Sequence, residues 1–482
     1  MIDLRPVGYV IGLLVATLGV TMLFPMIADL LAGDPHWAVF LETGVISILA
    51  GGLVALSCAN GVGEGLTIQQ SFLLTTGVWI ALPVFGALPF VFGAPHVGFT
   101  DAMFEAMSGL TTTGSTVFVG LDDMPYGTLL WRGILQWLGG LGIVIVAMVF
   151  LPVMKVGGMQ YFRSEGFDTL GKILPRAFDI SKALIQVYLA LSVACGVCYF
   201  ALGMTGFEAL VHALTTVSTG GFSTSDKSFG LFAGPAEYVS ALFMLAASTP
   251  FIRFVQLMQG SARPLLHDVQ LRAYLRWNAY AVVAIVAYEM VHLGEPFWVT
   301  LRETVFNVVT SFSGTGYTSV DIGLWGPLPF VVFIIVGAIG GCTASTGCSI
   351  KVFRYLILFE AIKSQIRRIH SPNAVLPVRL EGRPVSEDIL NSVIVFLTLF
   401  IVTFGLVSVA LSLTGLSTRT AITAAWTAVF NVGPAFGPEV GPTGAMNQFP
   451  LLAKWLMIIG MLVGRLELVS VYVLFTARFW RQ

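Results

Sequence analysis

The chain has 482 residues, 56% of them hydrophobic and 11% charged, with a formal net charge of −1. A soluble protein carries roughly 25% charged residues, so this composition excludes a surface that faces water on most sides and points to one that faces lipid. No nucleic-acid partner is expected, and it is the placement of the charges, not their sum, that carries information.

Apolar runs near the ~20 residues needed to cross a bilayer recur at 7–31, 38–57, 71–93, 126–151, 178–203, 235–258, 273–293, 325–350, 386–414 and 450–478. A cleaved leader has a shorter apolar core and a small-residue cleavage site. Pro25 and Asp29 follow the first core, so it reads as a retained helix. Of the 25 Lys and Arg, 19 fall at Arg5, between Lys155 and Lys182, between Arg253 and Arg276, between Lys351 and Arg383, and at Arg478 and Arg481. The positive-inside bias puts these stretches, and with them both termini, in the cytoplasm. An even number of spans is then required, and the runs above satisfy it. Asp122, Asp123, Asp226, Asp321 and Glu439 are expected outside, either concentrating cations modestly or simply solvating loops.

Between successive spans lie four short segments, 100–112, 206–218, 298–311 and 418–430, each too short to cross the membrane. Aligned on one glycine they are Phe104–Gly114 (FEAMSGLTTTG), Val211–Gly221 (VHALTTVSTGG), Phe306–Gly316 (FNVVTSFSGTG) and Thr423–Gly433 (TAAWTAVFNVG), with glycine spacings of 107, 95 and 117. They read as re-entrant helices that return through a glycine-bearing loop. Non-helical backbone at that depth survives only when buried in protein or lining water. Four such loops around one axis satisfy that demand together, with carbonyls replacing the hydration shell of a cation. Glycine suits consecutive carbonyls pointing one way, which require φ > 0. The C-terminal ends of the short helices add partial negative charge. Packing of small residues between helices is the plainer use of the same residue types. One column behind the loops holds Glu105, His212, Asn307 and Ala424, following Phe104, Val211, Phe306 and Thr423. Its polar members either brace the loops or cap helices.

The motifs Leu110–Val117 (LTTTGSTV), Ser218–Thr224 (STGGFST), Ser313–Ser319 (SGTGYTS) and Asn431–Gly437 (NVGPAFG) resemble those of the Trk/Ktr/HKT superfamily of potassium transporters, and most of all its bacterial TrkH-type subunits. The resemblance runs over essentially the whole chain. It implies an all-α polytopic membrane protein: two N-terminal transmembrane helices (1–65) and four pseudo-repeats of helix, pore loop and helix around a central pore (66–160, 161–262, 263–370 and 371–482). It further implies K⁺ uptake across the bacterial inner membrane, a homodimer with one pore per subunit, and a cytosolic TrkA-like regulator that binds nucleotide. By position, the filter carbonyls belong to Thr112, Thr113 and Gly114; Thr219, Gly220 and Gly221; Gly314, Thr315 and Gly316; and Asn431, Val432 and Gly433. The double glycine of the second loop and Pro434 in the fourth depart from four-fold symmetry. A Na⁺-coupled Ktr-type carrier, or a less selective monovalent-cation pathway, is the alternative they leave open.

Two features lie below the loops. Arg465 sits ~20 Å from either end of its span at the helical rise per residue, too deep for easy snorkelling. A charge there is costly unless it faces water or a partner. It is either a positive group in the ion path or half of a structural pair, and Glu467, at i+2, is on another helix face. The run Val336–Lys351 (VGAIGGCTASTGCSIK) is a poor uninterrupted helix, since each glycine costs ~1 kcal/mol. It reads as a broken helix across the inner mouth, with close helix packing as the alternative. The resemblance favours a gate formed by Gly340, Gly341, Gly347 and Arg465, with Lys351 holding the closed loop. The basic stretch from Lys351 to Arg383 either docks a regulator or enforces topology.

No phosphate-binding glycine motif follows a strand, so no nucleotide site is expected in this chain, and transported K⁺ is the only ion implied. The histidines show no metal-ligand spacing and no nucleophile motif appears, so an enzyme is not expected. Carriers of organic solutes usually show two repeat halves, not four units. Cys195 and Cys198 form a C-x-x-C inside an apolar run without a second pair, which favours packing over redox chemistry.

Overall fold

The computed structural model describes residues 2–61, 66–149, 177–292, 294, 296–373 and 376–481. The boundary expected at 160/161, and most of the basic stretch from Lys155, lie outside these residues. An N-terminal hairpin pairs α1 (Arg5–Thr21) and its continuation α2 (Leu23–Ala32) with α3 (Trp37–Cys58). The two arms touch backbone to backbone: a Cβ on Gly12 would lie 2.6 Å from the Gly51 carbonyl. Small residues permit such approach where lipid gives no hydrophobic drive.

Four similar units follow. The first is α4 (Ile68–Gly86), α5 (Leu88–Phe92), α6 (Phe99–Leu110) and α7 (Tyr126–Val149). The second is α8 (Ala177–Ala201), α9 (Gly206–Val217), α10 (Pro235–Ala247) and α11 (Phe251–Met258). A turn of helix, α12 (Arg263–Leu266), leads to the third: α13 (Val269–His292), α14 (Phe297–Ser313), α15 (Pro327–Ile339) and α16 (Val352–His370). The fourth is α17 (Glu387–Ser412), α18 (Thr418–Phe430), α19 (Leu451–Arg465), α20 (Val469–Leu474) and α21 (Ala477–Trp480). Between the last two units, β1 (Arg379–Leu380) and β2 (Arg383–Pro384) make a small antiparallel hairpin, the one sheet among the described residues.

The four short helices α6, α9, α14 and α18 fall where the sequence places them. Their contacts close a ring. Each packs between the two long arms of its own unit and also against the second arm of the unit before. Thus α9 meets α7, α14 meets α10, α18 meets α15, and α6 meets α19. The last unit therefore touches the first. The short helices form the buried centre, with Ala102–Leu110, Phe306–Ser313 and Thr423–Phe430 buried throughout. The long arms carry exposed Ile394, Ile401, Leu406 and Val409 on α17, as expected of a face that meets lipid.

Among the described residues, six helices are long and apolar enough to cross a membrane, and α10 with α11 makes a seventh if counted as one span bent by 92°. The ten apolar runs are therefore not all unbroken helices, and the break expected within 325–350 is among the interruptions. The expected span 235–258 bends at Ser248–Pro250, 325–350 stops at Ile339, and 450–478 breaks after Arg465, where Glu467 and Leu468 take positive φ. All three breaks fall in second arms.

Candidate functional site

One or two residues past its end, each short helix is followed by a residue with left-handed backbone: Thr112 (φ 50°), Thr219 (51°), Gly314 (82°) and Asn431 (53°). Two positions later, Gly114 (84°), Gly221 (81°) and Gly316 (82°) repeat it. A β-branched residue at positive φ is an outlier, and outliers of this kind cluster at functional sites. The alternation turns successive carbonyls to one side. Gly433 does not share the left-handed conformation.

The loops meet. A Cβ on Gly114 would lie 2.3 Å from the Gly220 carbonyl and 3.3 Å from that of Thr315; one on Gly221, 1.9 Å from Thr315; one on Gly316, 2.6 Å from Gly433 N. By register the carbonyls form an inner level (Thr112, Thr219, Gly314, Asn431), a middle level (Thr113, Gly220, Thr315, Val432) and an outer level (Gly114, Gly221, Gly316, Gly433). Among the described residues, ten of these carbonyls accept no hydrogen bond. Seven of the ten belong to buried residues, while Gly114, Gly221 and Gly316 are half-buried; buried carbonyls are nearly always paired, and a cluster of free ones can coordinate a cation. The other two carbonyls each accept a hydrogen bond from a side chain. Gly220 accepts from Gln136 Nε2 at 2.6 Å, and Gly433 accepts from Ser115 Oγ at 3.0 Å.

Side chains on the short helices brace each loop from behind. Glu105 accepts from Val117 N (3.0 Å) and Thr116 Oγ1 (2.9 Å). His212 Nε2 lies 3.1 Å from Ser223 Oγ, and Asn307 Nδ2 donates to Ser319 Oγ at 2.9 Å. In the fourth unit Ala424 cannot serve, and Thr423, one residue earlier, accepts from Phe436 N at 3.0 Å. Other bonds join loop to loop. Asn431 Nδ2 donates to Thr113 Oγ1 (2.8 Å), tying the fourth loop to the first. Arg132, fully buried on α7, pairs with Glu105 at 2.8 Å and donates to the Ser223 carbonyl at 2.9 Å, tying the first to the second.

Arg132 and Gln136 escaped the sequence reading. The signal available was a charge and an amide four residues apart inside an apolar span, the spacing of one helix face.

A cavity of about 80 Å³ touches Gly114, Gly221, Gly316 and Gly433, and continues into a vestibule of about 850 Å³ bordered by Asp226, Lys227, Asp321 and Arg419. The acidic loop residues mostly hold backbone. Asp226 accepts from Gly120 N and Leu121 N, and Asp321 from Gly323 N. Glu439 accepts from Ser417 and Thr420 at the start of α18, which brings its carboxyl down from 4.5 to about 2.

On the opposite side of the loops lies the small-residue segment 340–351. Gly347 is within 3.3 Å (as Cβ) of the Ser313 carbonyl, and Cys348 Sγ is 3.6 Å from Thr112 Oγ1. The segment hangs on the break in the second unit: Cys342 N donates to Ser248 O (2.9 Å), Thr346 N to Ala247 O (3.2 Å), and Phe251 N to Ala344 O (3.0 Å). Gly340 and Lys351 both have φ of 77°, and Lys351 N donates to Ile339 O at 2.8 Å, which closes the segment's base. Gly341 packs against Gly347. Arg465 is 4% exposed; its Nη1 contacts Cys348 Sγ and Thr346 O, while Nε and Nη2 have no partner among the described residues. Glu467 pairs with Arg354 instead. Cys195 and Cys198 on α8 are unbonded thiols.

A family model described as TrkH, a cation transport protein, matches residues 36–482. The chain is 36% identical to the Trk system potassium uptake protein TrkI of Halomonas elongata, over 99% of this chain and 97% of that one. It is 35% identical to the Trk system potassium uptake protein TrkH of Salmonella typhimurium, over 99% of each. The crystal structure of the potassium transporter TrkH from Vibrio parahaemolyticus superposes with a TM-score of 0.92 at 30% identity, covering 100% of both chains.

Proposed function

The chain belongs to the TrkH family of cation transport proteins, and from that premise we propose that it is a membrane protein for K⁺ uptake, with the four-loop carbonyl cluster as its selectivity filter. The observation that carries this reading is the set of ten carbonyls that accept no hydrogen bond among the described residues, seven of them on buried residues, converging from four loops of which three repeat the left-handed backbone. Such oxygens substitute for the water that K⁺ sheds. The bracing side chains hold them open, so little reorganisation is needed when an ion arrives.

Below the filter, the segment with Gly340, Gly341 and Gly347 is the gate, and its contact with Ser313 and Thr112 leaves it across the inner mouth. Arg465 supports this reading because it lacks a carboxylate: a buried guanidinium with free donors facing the segment raises the barrier to a cation there. Lys351, buried at the base of the segment, contributes a second positive charge. We further infer a bacterial inner-membrane homodimer, with both termini inside by the bias of the basic stretches, and a cytosolic TrkA-like nucleotide-binding subunit that moves the gate; the Trk-system names of the relatives support a multi-component assembly.

The test is growth of a K⁺-uptake-deficient bacterium on limiting K⁺. Expression of this chain restores growth, and bulky substitutions at Gly114 or Gly316 abolish it. Absence of rescue, with the protein present in the membrane together with its regulator, overturns the reading.

A further inference from the structure

We propose that Gln136 and Ser115 tune ion selectivity, each by withdrawing one carbonyl from the ion cage; the inference rests on the filter reading above. The two irregularities of the four-loop pattern fall at the two carbonyls that are not free. In the second loop the irregularity is the extra glycine. Gln136 reaches from α7 with its Oε1 accepting from Phe222 N at 3.0 Å, which fixes the orientation of the amide, and its Nε2 donating to the Gly220 carbonyl at 2.6 Å. A Cβ on Gly220 would come to 2.3 Å from the Gln136 amide carbon. Gly220 has no left-handed backbone to explain it; it is glycine because the amide occupies that space.

In the fourth loop the irregularity is Gly433-Pro434. Gly433 is the register glycine without positive φ, and its carbonyl is taken by Ser115 of the first loop. Gln136 is 0% and Ser115 2% exposed. In such low-dielectric surroundings a hydrogen bond is not diluted by water, so each clamp holds its carbonyl against the pull of a passing ion.

The cage is consequently lopsided. The inner level keeps all four oxygens, while the middle and outer levels keep three each. An ion between inner and middle levels meets seven carbonyls, and one between middle and outer meets six. The number of coordinating carbonyls is one of the determinants of K⁺ over Na⁺ preference, since the larger ion accommodates more oxygens. Each withdrawn carbonyl narrows that preference. Neither residue is a ligand; both are positioning residues.

The experiment measures K⁺ and Na⁺ flux through the full-length protein in liposomes, for wild type, Gln136→Met, Ser115→Ala, Ser115→Thr and Gly316→Val. Releasing either carbonyl raises the K⁺/Na⁺ flux ratio by about twofold or more, the factor set by the lower range of one net hydrogen bond. Ser115→Thr keeps the hydroxyl and returns the wild-type ratio. A ratio that stays fixed or falls in the Met and Ala variants means the clamps are scaffold only, and overturns the inference. Ser115→Ala, the smaller change, decides the matter where Gln136→Met does not fold. Gly316→Val separates the two claims: retained K⁺ flux there sinks the filter reading itself, whereas lost flux with an unmoved ratio in the clamp variants sinks only this inference.

Discussion

Arg354 on α16 takes the carboxylate of Glu467, two residues beyond Arg465, and both partners are buried. This pairing has two effects. It engages the carboxylate nearest to Arg465 in the sequence, and it pins the chain where α19 gives way to α20 through two residues of positive φ.

Arg465→Ala raises ⁸⁶Rb⁺ flux at equal expression. A charge about 10 Å from an ion, at an effective dielectric of about 20, opposes it by about 1.5 kcal/mol, so the gain is roughly tenfold. Unchanged flux would remove the residue from the ion path.

Glu467→Ala takes this carboxylate from the buried guanidinium of Arg354. Breaking one side of such a pair costs about 3–5 kcal/mol, read as a fall in the melting temperature of the purified protein. The double change Arg354→Met with Glu467→Leu recovers most of that loss. If the single and double variants melt together, the pair has no structural role.

Gly221→Ala abolishes growth rescue on limiting K⁺, because its Cβ would meet the Thr315 carbonyl at 1.9 Å and φ is 81°. Gly52→Ala on α3, with nothing within 4 Å of the added carbon, leaves rescue intact. Equal phenotypes for the two would mean that the clash at the loops is relieved without consequence.

Thr423→Val keeps the shape of the fourth brace but strands Phe436 N, which the Thr423 hydroxyl otherwise satisfies. An unsatisfied buried donor costs about 1–3 kcal/mol, seen as a lower melting temperature. A variant that melts with the wild type would show that the fourth loop stands without its brace.

Glu439 gives a pH signature. Its carboxyl is held at about 2, from an ordinary 4.5, by the Thr420 and Ser417 hydroxyls. A depressed carboxylate contributes stability that is fully present above 4.5 and is lost as pH falls through about 2. Glu439→Gln is therefore less stable than wild type at neutral pH, and the gap between their melting temperatures narrows as the pH drops below 4.5. A gap that stays constant down to about pH 3 would dissociate the shift from the clamp.

The re-entrant helices were legible in the sequence because their signals are local. Segment length, flanking apolar runs and a glycine register sufficed to place α6, α9, α14 and α18 within a few residues. Of the broken second arms, the one that stops at Ile339 was legible from the glycines of Val336–Lys351; the other two were not, for different reasons. Pro250 is a local signal, but hydropathy averaged across it. The break after Arg465 has neither proline nor glycine; it coincides with a contact between Glu467 and Arg354, 113 residues away, which no window can see. Likewise Glu105, His212 and Asn307 stood out as a column, while Gln136 did not, since an amide inside a span acquires meaning only from the backbone opposite it. The double glycine was visible as an irregularity before its cause was.

Because α6 leans on α19 as α9 leans on α7, the ring closes within a single polypeptide. An assembly of identical subunits must change every quadrant at once when one codon changes. Here each quadrant carries its own codons, so evolution can retune one side of the cage while the other three stay as they were.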